Sequence, residues 1–423
     1  MYQDESQIVI QPRGGRSTTD LQRELWNELS EAGADVLPLT IDSNTRLNLL
    51  EKAQSAYIRA LETGVETLNG YPLLSVPEQE IRDLISEFGK PVSLRHGTPR
   101  ASRLVERALK VGVHEIEGGP LSYTLPYSRN VELVEAIKDW SRVEEICHTS
   151  GADRNEKVVR ETFGVLTACL VHPIQSVLTS LLESGFIALH GQSRPMASFG
   201  STGCVYQDLA SIEAYRELLP WWLAEWSLGE REPLVAMHHW MGPFPNEPDR
   251  AKALISQGTL IAMAGRAQKV VVKTLREAHG VPTPKENADA IKYVRSILKS
   301  EEKIRVQQDV FLEEKTFLIS EVKIQLNSLR KSFSNYLELI EKSVTLGFID
   351  PPFAPHVSVK HKLRALRADD GSIRASRDYS GNISSDYVRR EISFLGSKNQ
   401  WDKLSADEIA TQIYWPGSYE LGK

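Results

Sequence analysis

Residues 8–46 read IVIQPRGGRSTTDLQRELWNELSEAGADVLPLTIDSNTR and hold one strand–helix–strand unit. The runs Gln7–Gln11 and Val36–Ile41 are short and β-rich, and Thr19–Ala32 between them is amphipathic at helical spacing. Each run leads into an arginine at or just past a turn signal, Arg13 before Gly14-Gly15 and Arg46 at the end of TIDSNTR. Two strands joined through a helix run parallel with a right-handed crossover, so a repeat of this unit specifies a parallel sheet covered by helices.

The unit does repeat. Further apolar runs lie at Pro72–Ser75, Pro91–Leu94, His114–Glu117, Phe163–Thr167, Met196–Gly200, Leu234–His239 and Lys269–Lys273. Amphipathic stretches at Leu47–Leu68, Glu78–Phe88, Arg100–Lys110, Asn130–Ile146 and Gln207–Ala224 separate them. The expectation is a TIM (β/α)8 barrel over residues 1–300. The pattern offers one strand too many for eight and does not say which is spare. Residues 301–423 read as a C-terminal extension. Glu301–Thr345 is a long helix, broken at most once, with one apolar stripe through Phe311, Leu318, Val322, Leu329, Phe333, Leu337, Ile340 and Val344. Gly347 ends it, IDPPFAP follows, and the chain beyond about residue 356 is polar and loop-rich.

Composition narrows the function. Hydrophobic residues make up 41% and charged residues 25% of the 423, ordinary for a globular enzyme. A net charge of −6 argues against nucleic acid or an anionic membrane as the main partner. No apolar run reaches the ~18 residues a membrane span needs. The start is acidic, without the basic and apolar regions of a signal peptide. Cys147, Cys169 and Cys204 are odd in number and far apart, and form neither a metal spacing nor a disulfide framework. These features point to the cytoplasm.

Barrel enzymes carry their chemistry at the carboxyl ends of the strands. Those ends supply Arg13-Gly14-Gly15, Arg46, Asn69-Gly70, Arg95-His96-Gly97, Glu117-Gly118-Gly119 with Tyr123, Pro126 and Tyr127 beyond, His238-His239, and Lys273-Thr274 with Glu277. The set is rich in fixed charge and has no nucleophile elbow, HExxH or Walker loop. Guanidinium forks match carboxylate oxygens two to two, so three arginines aimed at one pocket suit a dicarboxylate. The plainer reading pairs each arginine with its own neighbouring acid. The glycine pairs read either as tight turns or as room for a flat ligand. Lys273 and Glu277 could form a simple i,i+4 pair. His238 and His239, adjacent on a strand, face opposite sides and cannot both ligate one metal.

The segments GADVLPLTIDSNTR, LNGYP, RHGTP, EGGPLSYTLPY, MHHWMGPFP, KVVVKTLREAHGVPT and DPPFAP occur in this order, within a stretch from about residue 8 to about 385 over which order and spacing carry one resemblance. They resemble the large (epsilon) subunit of glutamate mutase, also called methylaspartate mutase. The resemblance implies an adenosylcobalamin-dependent isomerase that interconverts L-glutamate and L-threo-3-methylaspartate by radical carbon-skeleton rearrangement. It implies a barrel that binds substrate and the adenosyl group. A separate small subunit would carry cobalamin and supply the cobalt ligand through a D-x-H-x-x-G motif, which is missing from this sequence. It further implies a homodimer of this chain within a heterotetramer. At matching positions Arg13, Arg46 and Arg95 would bind carboxylates, and Glu117 would take the ammonium. Tyr123, Tyr127 and His96 would line the same pocket. Gly14, Gly15, Asn69, Pro126, Lys273 and Glu277 would hold the adenosyl group, and no residue here would bind a metal.

This sequence departs from the family pattern in several places. The segment ahead of the first strand is short, Pro120 stands where a third glycine is expected, and 193–205 differs in length and composition. KTLREAHG replaces the usual K-T-P-H-E-A-I-G, and the tail after about 385 does not match. Such a shortened member would suit secondary metabolism, with 3-methylaspartate as a building block for an antibiotic. Two alternatives stand beside this reading: a radical mutase for another amino acid, and a non-catalytic scaffold for a cobalamin-binding subunit.

Overall fold

The computed structural model describes residues 2, 7–162, 169–379, 381–396 and 399–414. Eight parallel strands form one sheet: β1 (Val9–Gln11), β2 (Leu37–Thr40), β3 (Val92–Arg95), β4 (Glu115–Glu117), β5 (Val159–Thr162), β6 (Arg194–Gly200), β7 (Leu234–His238) and β8 (Lys269–Val271). Neighbours follow chain order from β2 to β8, and β8 pairs with β1. The β1–β2 seam lacks a regular ladder but is bridged. The Asp35 and Val36 amides donate to the Ile10 carbonyl at 3.0 and 3.3 Å, and the Thr40 amide donates to the Gly14 carbonyl at 3.1 Å. A missing side chain makes this seam possible, since a Cβ at Gly15 would lie 2.1 Å from the Thr40 carbonyl oxygen. The result is a TIM-type barrel, as the repeated unit specifies.

Helices cover the outside in the order α1 (Thr19–Glu31), α2 (Ser43–Arg46), α3 (Leu50–Thr63), α4 (Glu78–Phe88), α5 (Ser102–Lys110), α6 (Leu133–Asp153), α7 (Pro173–His190), α8 (Val205–Glu225), α9 (Pro248–Ala264) and α10 (Pro284–Leu298). Local chemistry sets several ends. Thr18 caps α1, and Thr283 with Glu286 forms a capping box ahead of α10, where Pro284 occupies the first turn. The inner stripe of α1 buries Leu25, Trp26 and Leu29 against the sheet. Helix α7 has no polar face to read: Pro173 through Ala188 are all buried. It lies between the barrel and a further helix layer, α11 (Gln308–Ser332) and α12 (Tyr336–Thr345), which supplies Leu318, Val322, Leu329, Ile340 and Val344 to the same core.

Two expected strands resolve differently. Pro72–Ser75 is the spare. It forms a turn after a single bridge between Ile41 and Tyr71, and the Ser75 and Val76 amides both return to the Pro72 carbonyl, which leaves no extended partner. Phe163–Thr167 lies outside the described residues, and the fifth strand stands just before it at Val159–Thr162. The long helix starts at Gln308 rather than Glu301, since the Gln307 amide is taken by the Tyr206 hydroxyl and 301–307 is not helical, and it breaks once, at Phe333–Asn335, where Asn335 caps α12.

The tail is more ordered than its polarity implies. A hairpin of β9 (Ala365–Arg367) and β10 (Ile373–Ala375) is followed by α13 (Ser385–Leu395) and α14 (Ala406–Gln412). Asp350 of the DPPFAP segment gathers the chain before the hairpin by accepting four amides, from Lys360, His361, Lys362 and Leu363, at 2.6–2.8 Å. The hairpin then reaches the barrel. Gln207 exchanges two hydrogen bonds with Ile373, and Arg367 donates to the Thr202 carbonyl just beyond β6.

Candidate active site

Strand alternation decides what enters the barrel. In a parallel sheet buried on both faces, strands are normally apolar throughout, so a charge at an inward position needs a partner. Here a column of charge fills the interior. At its base Tyr2 packs with Val9, Val159, Met196, Leu234 and Ala236, and its hydroxyl donates to Glu115. Lys269 bridges Glu115 at 2.8 Å and Glu161 at 2.6 Å. Glu161 also accepts from Ser198 at 2.6 Å and His238 at 2.9 Å, and lies 3.8 Å from Arg95. Arg95 donates to Glu117 at 2.5 Å, and Tyr123 donates to the other oxygen of Glu117. Every member from Glu115 to Tyr123 is buried.

The column holds three carboxylates, Glu115, Glu117 and Glu161, against two cations, Lys269 and Arg95. The surplus negative charge is felt at its upper end. Burial pushes the Glu117 carboxyl up to about 7, against the pull of Arg95. Glu161 is also opposed by burial, yet Lys269 and Arg95 hold it well below the usual carboxylate range. Spacing alone would let Glu117, Glu161 and His238 hold a metal ion, but their atoms are already engaged by Arg95, Tyr123, Lys269 and one another.

Above the column stands a rim of sequence-expected residues. Arg13 lies two residues past β1 and Arg46 ends α2, both half-buried. Among the described residues neither guanidinium makes a hydrogen bond or ion pair. Arg46 sits 6.0 Å over the Tyr127 ring, and the charge of Arg13 is felt by Glu117, Tyr127 and Lys273. Tyr127 packs edge-on against Tyr123 and is 37% exposed, so it borders the opening. The plainer reading of the arginines holds only for Arg95, and its partner, Glu117, belongs to the expected site.

His96 is brought to the same place with both ring nitrogens engaged. Nδ1 accepts from the Thr98 amide at 3.1 Å, which puts the proton on Nε2, and Nε2 donates to the Glu117 carbonyl at 2.9 Å. Burial pushes its pKa down to about 3, and the ring stacks on Trp140. Gly118 and Gly119 give up their side-chain space to the protein itself. A Cβ at Gly118 (φ +100°) would lie 2.3 Å from the Tyr123 ring, and one at Gly119 would lie 2.4 Å from Glu183. Glu183 of α7 accepts from the Leu121 and Ser122 amides at 2.8 and 2.9 Å, fixing the turn that carries Tyr123.

The other expected residues occupy the neighbouring arc, at the ends of β8, β1 and β2. Lys273 donates to Glu277 at 2.8 Å. The pair bridges a loop and the 3-10 turn Glu277–His279 rather than one helical face. His239 faces out of the barrel and accepts the Lys273 amide at 3.2 Å, while its neighbour His238 faces in. Asn69 is exposed and accepts the Ser43 amide at 2.9 Å. Gly14 and Gly15 lie between these flanks, and Pro126, half-buried, lies on the turn after β4. No contact among the described residues joins Asn69 to Lys273 or Glu277.

Sequence reasoning missed Glu115, Glu161, Lys269, Arg160 and Glu183. For all but Glu183, which lies in the all-buried helix α7, the signal was present as charged residues inside strand runs: HEIE, VVRET and KVVVK. Placing the fifth strand at Phe163–Thr167 hid Arg160 and Glu161.

Residues 1–390 match the family model for the Methylaspartate mutase E chain. Among curated proteins, the chain is similar to the glutamate mutase epsilon subunits of Escherichia coli O157:H7 (34% identity; 88% of this chain, 77% of that one) and Haloarcula marismortui (32%; 87% and 75%). The epsilon subunit of Yersinia enterocolitica is 30% identical over 92% of this chain and 81% of its own length. A truncated 3-deoxy-D-arabino-heptulosonate 7-phosphate synthase from Thermotoga maritima overlaps at a TM-score of 0.38 with 12% identity, covering 69% of this chain and 84% of that chain, too loosely to bear on the argument.

Proposed function

This chain belongs to the Methylaspartate mutase E chain family, an isomerase family, and we propose that it is the catalytic subunit of a glutamate mutase interconverting L-glutamate and L-threo-3-methylaspartate. The observation that carries the proposal is the charge inventory of the pocket. Arg13 and Arg46 at the rim have no ionic partner among the described residues, and Arg95 is already paired to a carboxylate in a column one cation short. L-glutamate is the complement, with two carboxylates for Arg13, Arg46 and the outer edge of Arg95, and an ammonium for Glu117. The ammonium would supply the missing cation, favouring the charged form of Glu117 in a site too buried for water to do so.

The neighbouring arc fits an adenosyl group. The Glu277 carboxylate is only partly enclosed and keeps acceptor capacity for ribose hydroxyls, and the Asn69 amide nitrogen makes no bond among the described residues. When bound, adenosylcobalamin would supply the carbon radical that begins and ends the rearrangement. Lys273, Glu277 and Asn69 would orient its nucleoside, with Gly14, Gly15 and Pro126 beside it. Cobalt would be ligated by a small partner subunit carrying D-x-H-x-x-G, within a heterotetramer built on two copies of this chain. Holding both carboxylates and the amine keeps the migrating two-carbon fragment and the remainder of the substrate in register. The dry floor of Arg95, Glu117 and Tyr123 denies the site water and stray hydrogen donors. Use of 3-methylaspartate in secondary metabolism is a further part of the proposal and rests on the sequence resemblance alone.

The test is product formation. The full chain with a cobalamin-binding partner and adenosylcobalamin is expected to convert L-glutamate to 3-methylaspartate, and the chain with cofactor alone is not. Turnover without the partner would overturn the split-subunit part. Cofactor loading with no isomerisation of L-glutamate would overturn the substrate.

A further inference from the structure

Glu117 ends β4, and the carbonyls of three consecutive residues around it are each held by a side chain. His96 Nε2 donates to the carbonyl of Glu117 itself at 2.9 Å. Arg160 takes the two on either side: Nη1 donates to the Ile116 carbonyl at 2.5 Å and Nη2 to the Gly118 carbonyl at 2.9 Å. Arg160 is opposite Ile116 in the β4–β5 register. Its neighbour Glu161 faces into the barrel, so Arg160 faces outward, beneath the helices. There its third donor, Nε, meets Glu144 of α6 at 2.8 Å, and the guanidinium lies 5.3 Å from the Trp140 ring that also stacks on His96. Arg160 is 0% exposed and reaches no part of the pocket.

A fully buried ion pair is a weak device for stability, because apolar residues of the same volume often serve as well. A planar fork offers geometry instead: two parallel donors at fixed spacing. Through the Ile116 carbonyl the fork fixes the peptide plane before Glu117, and through the Gly118 carbonyl it holds the peptide beyond the one that His96 fixes at the Glu117 carbonyl, so the backbone on both sides of the Glu117 Cα–Cβ bond is pinned. A lysine in the same place would offer its three donors from one freely turning nitrogen, without the fork's fixed spacing.

We propose that Arg160 is a positioning residue that aims the Glu117 carboxylate at the substrate's ammonium group. The proposal rests on the reading of Glu117 as the ammonium acceptor. Arg160 touches neither substrate nor reacting atoms and acts only through the backbone of residues 116–118.

The experiment is a double-mutant cycle read by calorimetric titration of the full chain with L-glutamate and with glutarate, which lacks the amine. Wild type is expected to prefer L-glutamate, and Glu117→Gln to lose that preference. Arg160→Lys is expected to weaken L-glutamate about tenfold, some 1.4 kcal/mol, and glutarate by less than about twofold. In the Glu117→Gln background the same change should add less than about twofold, since its route of action is already gone. Equal weakening of both ligands, or full additivity with Glu117→Gln, would make Arg160 a structural staple and overturn the proposal. Absence of any preference in wild type would overturn the ammonium reading itself, and the proposal with it. Should Arg160→Lys not fold, the charge-free pair Arg160→Gln with Glu144→Gln leaves no buried charge unpaired and carries the same readings.

Discussion

Arg46 and Arg95 carry the same guanidinium in opposite circumstances. Arg95 is 4% exposed and locked between Glu117 and Glu161. Arg46 is half-buried over Tyr127 with no ionic partner among the described residues. Their substitutions should therefore separate binding from stability. Arg46→Met is expected to lower kcat/KM for L-glutamate by about one to two decades, from loss of a charge-assisted pair, while costing under about 1 kcal/mol of stability. Arg95→Met should also lower stability, by about 3–5 kcal/mol, because it leaves two buried carboxylates under-compensated. Thermal melts beside kinetics decide this, and equal melting temperatures for the two variants would contradict the buried column. Glu117→Gln keeps the shape and removes the charge. Turnover of L-glutamate should fall about tenfold or more, with amine-free analogues bound nearly as before, as followed by steady-state rates and ligand titration. Equal losses for amine-bearing and amine-free ligands would show that Glu117 only shapes the pocket.

The turn after β4 is the element on which the site depends most. It carries Tyr123, Pro126 and Tyr127, and is tied to α7 through Glu183 and to β4 through the ring of Tyr123 packed on Gly118. Gly118→Ala is expected to cost about 1–3 kcal/mol for its positive φ alone. It should reduce activity further by displacing Tyr123 from Glu117. A variant with wild-type kcat/KM would show that the contact is incidental. Sequence made this element visible through EGG and the two tyrosines, yet left open whether the glycines served a turn or a ligand. The answer lay in α7, more than sixty residues away, whose Glu183 fills the space beside Gly119. Helix α7 had gone unmarked because burial on all sides erases the periodicity that reveals an amphipathic helix.

Across the whole molecule, buried titratable groups oppose one another. Burial pushes Glu117, Glu183 and Asp208 up to about 7. It pushes His96, His238 and His239 down to about 3. A carboxyl with a raised folded pKa binds its proton more tightly folded than unfolded, so its contribution falls as pH rises from about 4.5 to about 7. A histidine with a lowered folded pKa binds its proton more tightly unfolded, so its contribution is lost as pH falls from about 6.5 to about 3. Between about 4.5 and 6.5 the three carboxyls and these three histidines offset one another, and His114, also pushed down by burial, adds a small gain with rising pH. Below that the histidines act alone, joined by Glu161 and Glu391, whose lowered folded pKa values make them lose stability in acid. Stability from denaturant melts should therefore change only gently from about pH 4.5 to 6.5, with any tilt upward from His114, drop steeply in acid, and decline slightly toward pH 7. A steep slope between pH 5 and 6.5 would contradict the balance. Glu183→Gln should gain on wild type as pH rises through that interval.

The sequence by itself determined the barrel, because the strand–helix period and the helix caps are local properties. It also determined which residues stand at or just past the strand ends, since Arg13, Arg95, Glu117 and Lys273 follow directly from where each strand stops. Only the tertiary structure decided that Pro72–Ser75 is not a strand, that the polar tail folds back on the loop after β6, and that Arg95 is committed while Arg46 has no ionic partner among the described residues. It alone brought Glu115, Glu161 and Lys269 under Glu117, across separations of up to 154 residues. Whether a buried charge has a partner depends on distances in a low-dielectric interior, and those distances are set by closure of the barrel, which no local stretch of chain encodes.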